Sequence, residues 1–222
     1  MQHANGAERG EYALGVPLIM RFLVPVGGVT DHAFGVLTTY RHTGVPSGII
    51  AGLPWAADNC AYGGAFDGPR YLAWLETMLP YRATCLFVAA PDVVGDAIAT
   101  LTLWQAWQAQ LSAWPLAFVN QDGQIPTAIP NCAAIFVGGT TTWKLSETAR
   151  ACIAVAQQRG CHIHIGRVNW WRRYAHFRAM PGSDSFTCDG TRTHYEGVGR
   201  TLEAWKQYQQ SEYQAALLST LV

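Results

Sequence analysis

The stretch that decides the fold is His162–Thr191, HIHIGRVNWWRRYAHFRAMPGSDSFTCDGT. His162, His164 and Gly166 alternate with Ile163 and Ile165, the period of two that marks a strand. Asn169 is placed to cap a helix carrying Trp170, Trp171, Arg172, Arg173, Tyr174, Phe177 and Arg178, and Pro181-Gly182 stops it. Ser185-Phe186-Thr187-Cys188 reads as a second strand, bracketed by Asp184 and Asp189, with Asp189-Gly190 as the turn at its exit. Strand, helix and strand in this order form the repeating unit of a parallel α/β sheet.

The same alternation extends upstream. Pro17–Val26 is an apolar run read as the first buried strand. Thr30 or Asp31 is expected to cap a helix to Tyr40, and Ser47–Gly52, SGIIAG, is expected to be the second strand. Asp67 and Pro69 start a helix through Leu79, and Cys85–Ala90 is a buried strand. Asp96 caps a helix over Ala97–Ala113 with Ile98, Leu101, Trp104, Trp107 and Leu111 at helical spacing, a stripe that faces the core or a partner. Strands at Leu116–Val119 and Ala133–Val137 follow, then a helix over Ser146–Arg159 with Gly160 at its end. A final helix over Tyr195–Leu218 packs back through Trp205, Tyr208 and Leu217.

Polar groups recur where these strands end: Asp58, Asp92, Gln121, Gly138-Gly139, Gly166-Arg167 and Asp189. In a (β/α) barrel the strand exits share one face, so the pattern gathers six dispersed groups into one pocket. The expected fold class is therefore α/β, a TIM-type barrel spanning residues 1–222 as one domain. Seven strands are counted, which implies a reduced or incompletely closed barrel. A doubly wound sheet fits the alternation too, but no G-x-G-x-x-G opens the first helix.

With 222 residues, half of them hydrophobic and 14% charged, the chain can bury a sizeable core. No apolar run reaches membrane-spanning length, and the polar N-terminus lacks the apolar core of a signal peptide, so no membrane partner and a cytoplasmic location are expected. The six cysteines form no C-x-x-C pair, so no metal is expected. Net charge is zero, which excludes a protein that coats nucleic acid by bulk electrostatics. Between His162 and Arg200, however, six arginines stand against three acidic residues, and that local excess can seat a few phosphates.

Several of these stretches resemble the queuine tRNA-ribosyltransferase (tRNA-guanine transglycosylase) superfamily, most closely the shorter relatives that insert 7-deazaguanine bases into DNA. FLVPVGG is similar to the start of that barrel, and HIGRVN followed by GSDSFTCDGT is similar to its end. Asp58-Asn59-Cys60-Ala61-Tyr62 keeps the aspartate and aromatic of the family's D-S-G-G-[FY]-Q loop but loses its glycines, and the family's cysteine zinc site has no counterpart. The resemblance implies Asp189 as nucleophile, with Asp184 in reserve because Thr187 and Cys188 stand as an insertion, and Asp58 as general acid/base. It also implies a base-binding set of Tyr62, which stacks on the base, with Asp92, Gln121, Gly138, Gly139 and Gly166. Arg167, Arg172, Arg173, Arg178 and Arg192 are the candidates for phosphates. The implied partners are guanine-containing DNA and a free 7-deazaguanine base such as preQ0, with no cofactor.

Base exchange at a glycosidic carbon suits paired carboxylates, because it passes through an oxocarbenium-like state that one carboxylate traps while another moves a proton. Two other readings use the same residues: a hydrolase or lyase of 7-deazaguanine nucleosides, and a non-catalytic module that binds nucleic acid or a base. Trp170 and Trp171 cannot both face the core; one is free for nucleic acid or for a neighbouring subunit in a homodimer. His162 and His164 lie on one strand face beside Cys161 and are read as structural rather than as metal ligands.

Overall fold

A computed structural model describes residues 20–25, 29–64, 66–169, 171–192 and 196–219. Eight parallel strands close into a barrel in chain order, each hydrogen-bonded to its neighbours, and the last pairs with the first. They are β1 (Arg21–Val24), β2 (Gly35–Thr39), β3 (Trp55–Asp58), β4 (Cys85–Ala89), β5 (Leu116–Asn120), β6 (Ala134–Val137), β7 (His162–Ile165) and β8 (Thr187–Cys188). The helices are α1 (Ser47–Ile50), α2 (Gly68–Met78), α3 (Ala97–Trp107), α4 (Thr141–Lys144), α5 (Glu147–Gln158), α6 (Trp171–Arg178) and α7 (Val198–Ser219). This is a TIM-type α/β barrel.

The barrel is complete rather than reduced, because the first third of the chain holds one more strand than expected. Residues 35–39 form β2 instead of a helix, and Ser47–Ile50 is one helical turn instead of a strand. Gly35 explains the first: a Cβ there would stand 2.5 Å from Leu23 and 2.7 Å from the Pro54 carbonyl, so the chain is pressed between β1 and β3. The third strand, WAAD, carries no β-branched residue and is set by its neighbours rather than by propensity. Capping went as the sequence indicates: Asp67, Asp96 and Ser146 each accept hydrogen bonds from first-turn amides of α2, α3 and α5. The third helix stops at Trp107, short of Ala113; on it Trp104 is buried and Ile98 is 82% exposed. Residues 17–19 and 26 of the expected first strand, Trp170, Tyr195 and the side chain of Leu217 lie outside the described residues.

Two apolar layers follow from strand alternation. The larger lies between barrel and helices and includes Phe22, Trp55, Tyr71, Phe118, Ile163, Tyr174 and Trp205. The smaller fills the barrel with Leu23, Leu37, Ala56, Phe87, Ala117 and Ala134, with Phe136 packed on it. Alanines facing phenylalanines across the axis keep this interior filled without crowding. Among the described residues no helix is long and apolar enough to cross a membrane.

Candidate active site

Side chains on a strand alternate, so the residue two beyond each inward core residue also points inward, one layer nearer the strand exit. Ala56 leads to Asp58, Phe87 to Ala89, Ala117 to Val119 and Gln121, Phe136 to Gly138, and Thr187 to Asp189. The outer residues of these pairs, Asp58, Ala89, Val119, Gln121, Gly138 and Asp189, line a single cavity of about 160 Å³ at the C-terminal mouth, together with Phe136, Asn59, Tyr62, Asp92, Arg167, Gly190 and Thr191. A larger cavity, about 370 Å³, lies outside the strand ends between Phe22, Val168, Trp171, Trp205 and Tyr208. It holds no carboxylate, so the chemistry belongs to the smaller one.

Of the glycines expected at the base, Gly138 lines the cavity, whereas Gly139 and Gly166 stand behind its wall, where close packing excludes a side chain. A Cβ on Gly138 would meet the Gln121 amide nitrogen at 2.9 Å, and one on Gly166 would lie 2.5 Å from the Phe136 ring. The carbonyl of Gly166 accepts a 2.7 Å hydrogen bond from Lys144, a buried lysine whose pKa burial lowers to about 8. Gly139 takes φ +75, and its carbonyl accepts from the Arg167 guanidinium at 3.0 Å.

Asp189 is held on both oxygens. Its Oδ1 accepts from the Arg167 backbone N–H at 3.0 Å, and its Oδ2 lies 2.9 Å from Nε2 of the fully buried His164. Arg167 reaches this position with φ +59, a left-handed conformation rare for a residue with a side chain. Asp58, by contrast, accepts from the Cys60 N–H at 3.0 Å in an Asx-type turn. Burial first, then the Asp189 and Asp92 carboxylates, push its pKa up to about 6 against the pull of its backbone donors. Asp92 takes 2.7 Å and 2.6 Å bonds from the amide nitrogens of Asn59 and Gln121, and burial raises its pKa despite them. The Gln121 oxygen accepts from the Gly95 N–H at 3.0 Å, so bonds at both ends fix which way its amide faces.

Tyr62 is 70% exposed at the rim, and the Arg167 guanidinium lies 4.1 Å from its ring centre. This stack joins the β3 and β7 sides of the mouth. One face of Tyr62 is thus taken in this state.

Other sequence-selected residues fall elsewhere. Asp184 is exposed in the turn Ser183–Ser185 before β8, at the opposite end of the barrel, so it cannot share a substrate with Asp58. Arg178 donates to Ser183 at that same far end. Arg173 donates to the Arg167 carbonyl and Arg192 pairs with Glu196 at 2.6 Å, whereas Arg172 is exposed beside Trp171. The sequence does not single out Asn59 or Lys144, and it presents His164 as a structural strand residue. Lys144 had no signal, but the alternation that turns Asp189 inward also turns His164 and Thr187 inward. Among the described residues no cluster of three or more His, Cys, Asp or Glu could hold a metal.

No protein-family model matches the chain, and no curated protein matches it. Solved structures that resemble it include a mandelate racemase/muconate lactonizing protein from Herpetosiphon aurantiacus, at 14% identity and TM-score 0.48. That match covers 80% of this chain, which spans 55% of the length of the other. A second is a 4-hydroxy-2-oxoglutarate aldolase/deoxyphosphogluconate aldolase from TTHB1, at 14% identity and TM-score 0.49, covering 88% of this chain and 94% of that one. Similarity this distant says nothing of activity.

Proposed function

We propose that the chain is an enzyme of base exchange, a transglycosylase that replaces guanine in DNA with a 7-deazaguanine base. The observation that carries this reading is the pairing of two unlike carboxylates in one base-sized cavity. Asp189 has a donor on each oxygen, while Asp58 has a pKa of about 6. In the proposed reaction Asp189 attacks the anomeric carbon and forms a glycosyl ester as the bond to guanine breaks. Asp58 gives its proton to the departing guanine and then, as a carboxylate, takes one from the incoming base. The incoming nitrogen attacks the same carbon and releases Asp189. A group that must act as acid and then as base works best with a pKa near the working pH, which Asp58 has.

Asp92, fixed by Asn59 and Gln121, presents a carboxylate to the N–H edge of a guanine-like ring. Tyr62 at the rim stacks on the base, and Arg167 and Arg172 meet the flanking backbone. A base inside a duplex must first be flipped out, at a cost of a few kcal/mol.

The test is incubation of DNA carrying labelled guanine with a 7-deazaguanine base, followed by nucleoside mass analysis. Guanine release matched by base incorporation is the expected result. The engagement of Arg173, Arg178 and Arg192 within the protein favours a second reading, a hydrolase of 7-deazaguanine nucleosides. Turnover of a free nucleoside, with no steep loss of rate as salt rises, would select it. No release from either substrate would leave a binding module.

A further inference from the structure

Beneath Asp189 the barrel interior is not apolar. Nδ1 of His164 lies 2.8 Å from Oγ1 of Thr187, and Nε2 of His162 lies 2.8 Å from the same oxygen. The imidazole of His164 is wedged between the rings of Phe87 and Phe136, with centroids 4.9 Å and 4.5 Å away, so its plane is fixed. Four side chains thus form one line: His162, Thr187, His164 and Asp189.

Proton counting gives that line a direction. Thr187 has one hydroxyl hydrogen, and among the described residues its oxygen meets only these two rings. Burial, and secondarily His164 and Arg21, lower the His162 pKa to about 4, so His162 is neutral near pH 7. With both rings neutral, two arrangements satisfy every group; a third, with His164 protonated on both nitrogens, has it donating to Thr187 and to Asp189 while the hydroxyl donates to His162. In the first, His162 Nε2–H donates to Thr187, the hydroxyl donates to His164 Nδ1, and His164 Nε2–H donates to Asp189. In the second every bond is reversed, and Asp189 must carry a proton. The Arg167 N–H on the second oxygen of Asp189 and the requirement for an anionic nucleophile both disfavour the reversed arrangement, and the tautomer of His164 read below separates the first from the third.

We propose that His164 is a positioning residue that holds Asp189 as an oriented carboxylate, with Thr187 and His162 locking its tautomer. The proposal rests on the reading of Asp189 as nucleophile. The donor stays in place as the ester forms, so no proton has to leave the floor of the cavity during the reaction. Unlike a metal or a lysine, a neutral imidazole orients the carboxylate without a full opposing charge. That leaves Asp189 reactive towards a cationic sugar carbon.

The test has two arms. Long-range ¹H–¹⁵N spectra of the histidine rings at pH 7, with peaks assigned by loss in His162→Gln and His164→Gln, should show both histidines neutral and protonated on Nε2. In Thr187→Val, which keeps the volume, His164 should become a mixture of tautomers. A His164 protonated on Nδ1, or an unchanged tautomer in Thr187→Val, would overturn the proposal whether or not the protein proves to be a transglycosylase. In the second arm, glutamine places its amide nitrogen where Nε2 stood and asparagine reaches only the Nδ1 position. Guanine release should stay within about 10-fold of wild type in His164→Gln and fall about 100-fold in His164→Asn, as expected when a nucleophile is misplaced. Equal rates in the two variants, both folded as judged by circular dichroism, would overturn it. Wild type inactive on DNA but with the expected tautomers would remove the transglycosylase reading and leave the orientation of Asp189 standing.

Discussion

Asp58 and Asp189 line the same cavity and are held in opposite ways. Asp189 ends β8 with a donor on each oxygen, one from a backbone amide and one from a buried histidine. Asp58 ends β3 in a turn whose N–H donors are outweighed by burial and by two neighbouring carboxylates. One site thus holds an oriented carboxylate and another that exchanges its proton near pH 6, the division that the proposed base exchange needs. Identical side chains acquire different chemistry from what surrounds them, not from their own structure.

That contrast predicts a graded set of losses. Asp189→Asn removes the attacking oxygen and should lower base exchange by about 10³-fold or more, read as guanine release. Asp58→Asn should lower it by about 10²–10⁴-fold. It should also abolish the decline of guanine departure as pH rises through about 6, where the wild-type acid loses its proton. Stability should move the other way. A carboxyl whose pKa is raised from 3.8 to about 6 on folding destabilises the fold increasingly between those values and fully above them. The full shift corresponds to about 3 kcal/mol, and cavity water reduces that to about 2. Urea unfolding should therefore find Asp58→Asn more stable than wild type by about 2 kcal/mol at pH 8 and equal to it at pH 3.5.

Gly166→Ala tests the packing behind the cavity wall at Phe136. Its Cβ would stand 2.5 Å from Phe136, a clash expected to cost about 1–3 kcal/mol in the same unfolding assay. The smallest effect belongs to the rim. Tyr62→Ala loses the stack with Arg167 and should weaken base binding by about 0.5–1 kcal/mol, seen in KM for the incoming base rather than in guanine departure.

Much of this was legible in the chain. Strands β4 to β6 announce themselves as apolar runs and β7 by its alternation, and the polar residues that follow them do converge, as one face of a barrel requires. The misreadings have physical causes. Residues 35–39 and 55–58 are short, and alanine and glycine stand where the barrel has no room for more; local propensity gives no sign of that. Asp184 and Asp189 look equivalent in sequence because each flanks the same two-residue strand. Only the direction of β8 sends them to opposite ends. His164 was visible as a strand residue, but its bond to Asp189 depends on the β7–β8 register, His164 opposite Thr187, which no single strand encodes.

The most direct test of the account is the intact mass of the protein after incubation with guanine-containing DNA and no incoming base. The wild type and Asp184→Asn should each carry a covalent DNA adduct, and Asp189→Asn should carry none. An adduct that persists in Asp189→Asn, or that disappears only in Asp184→Asn, would contradict it.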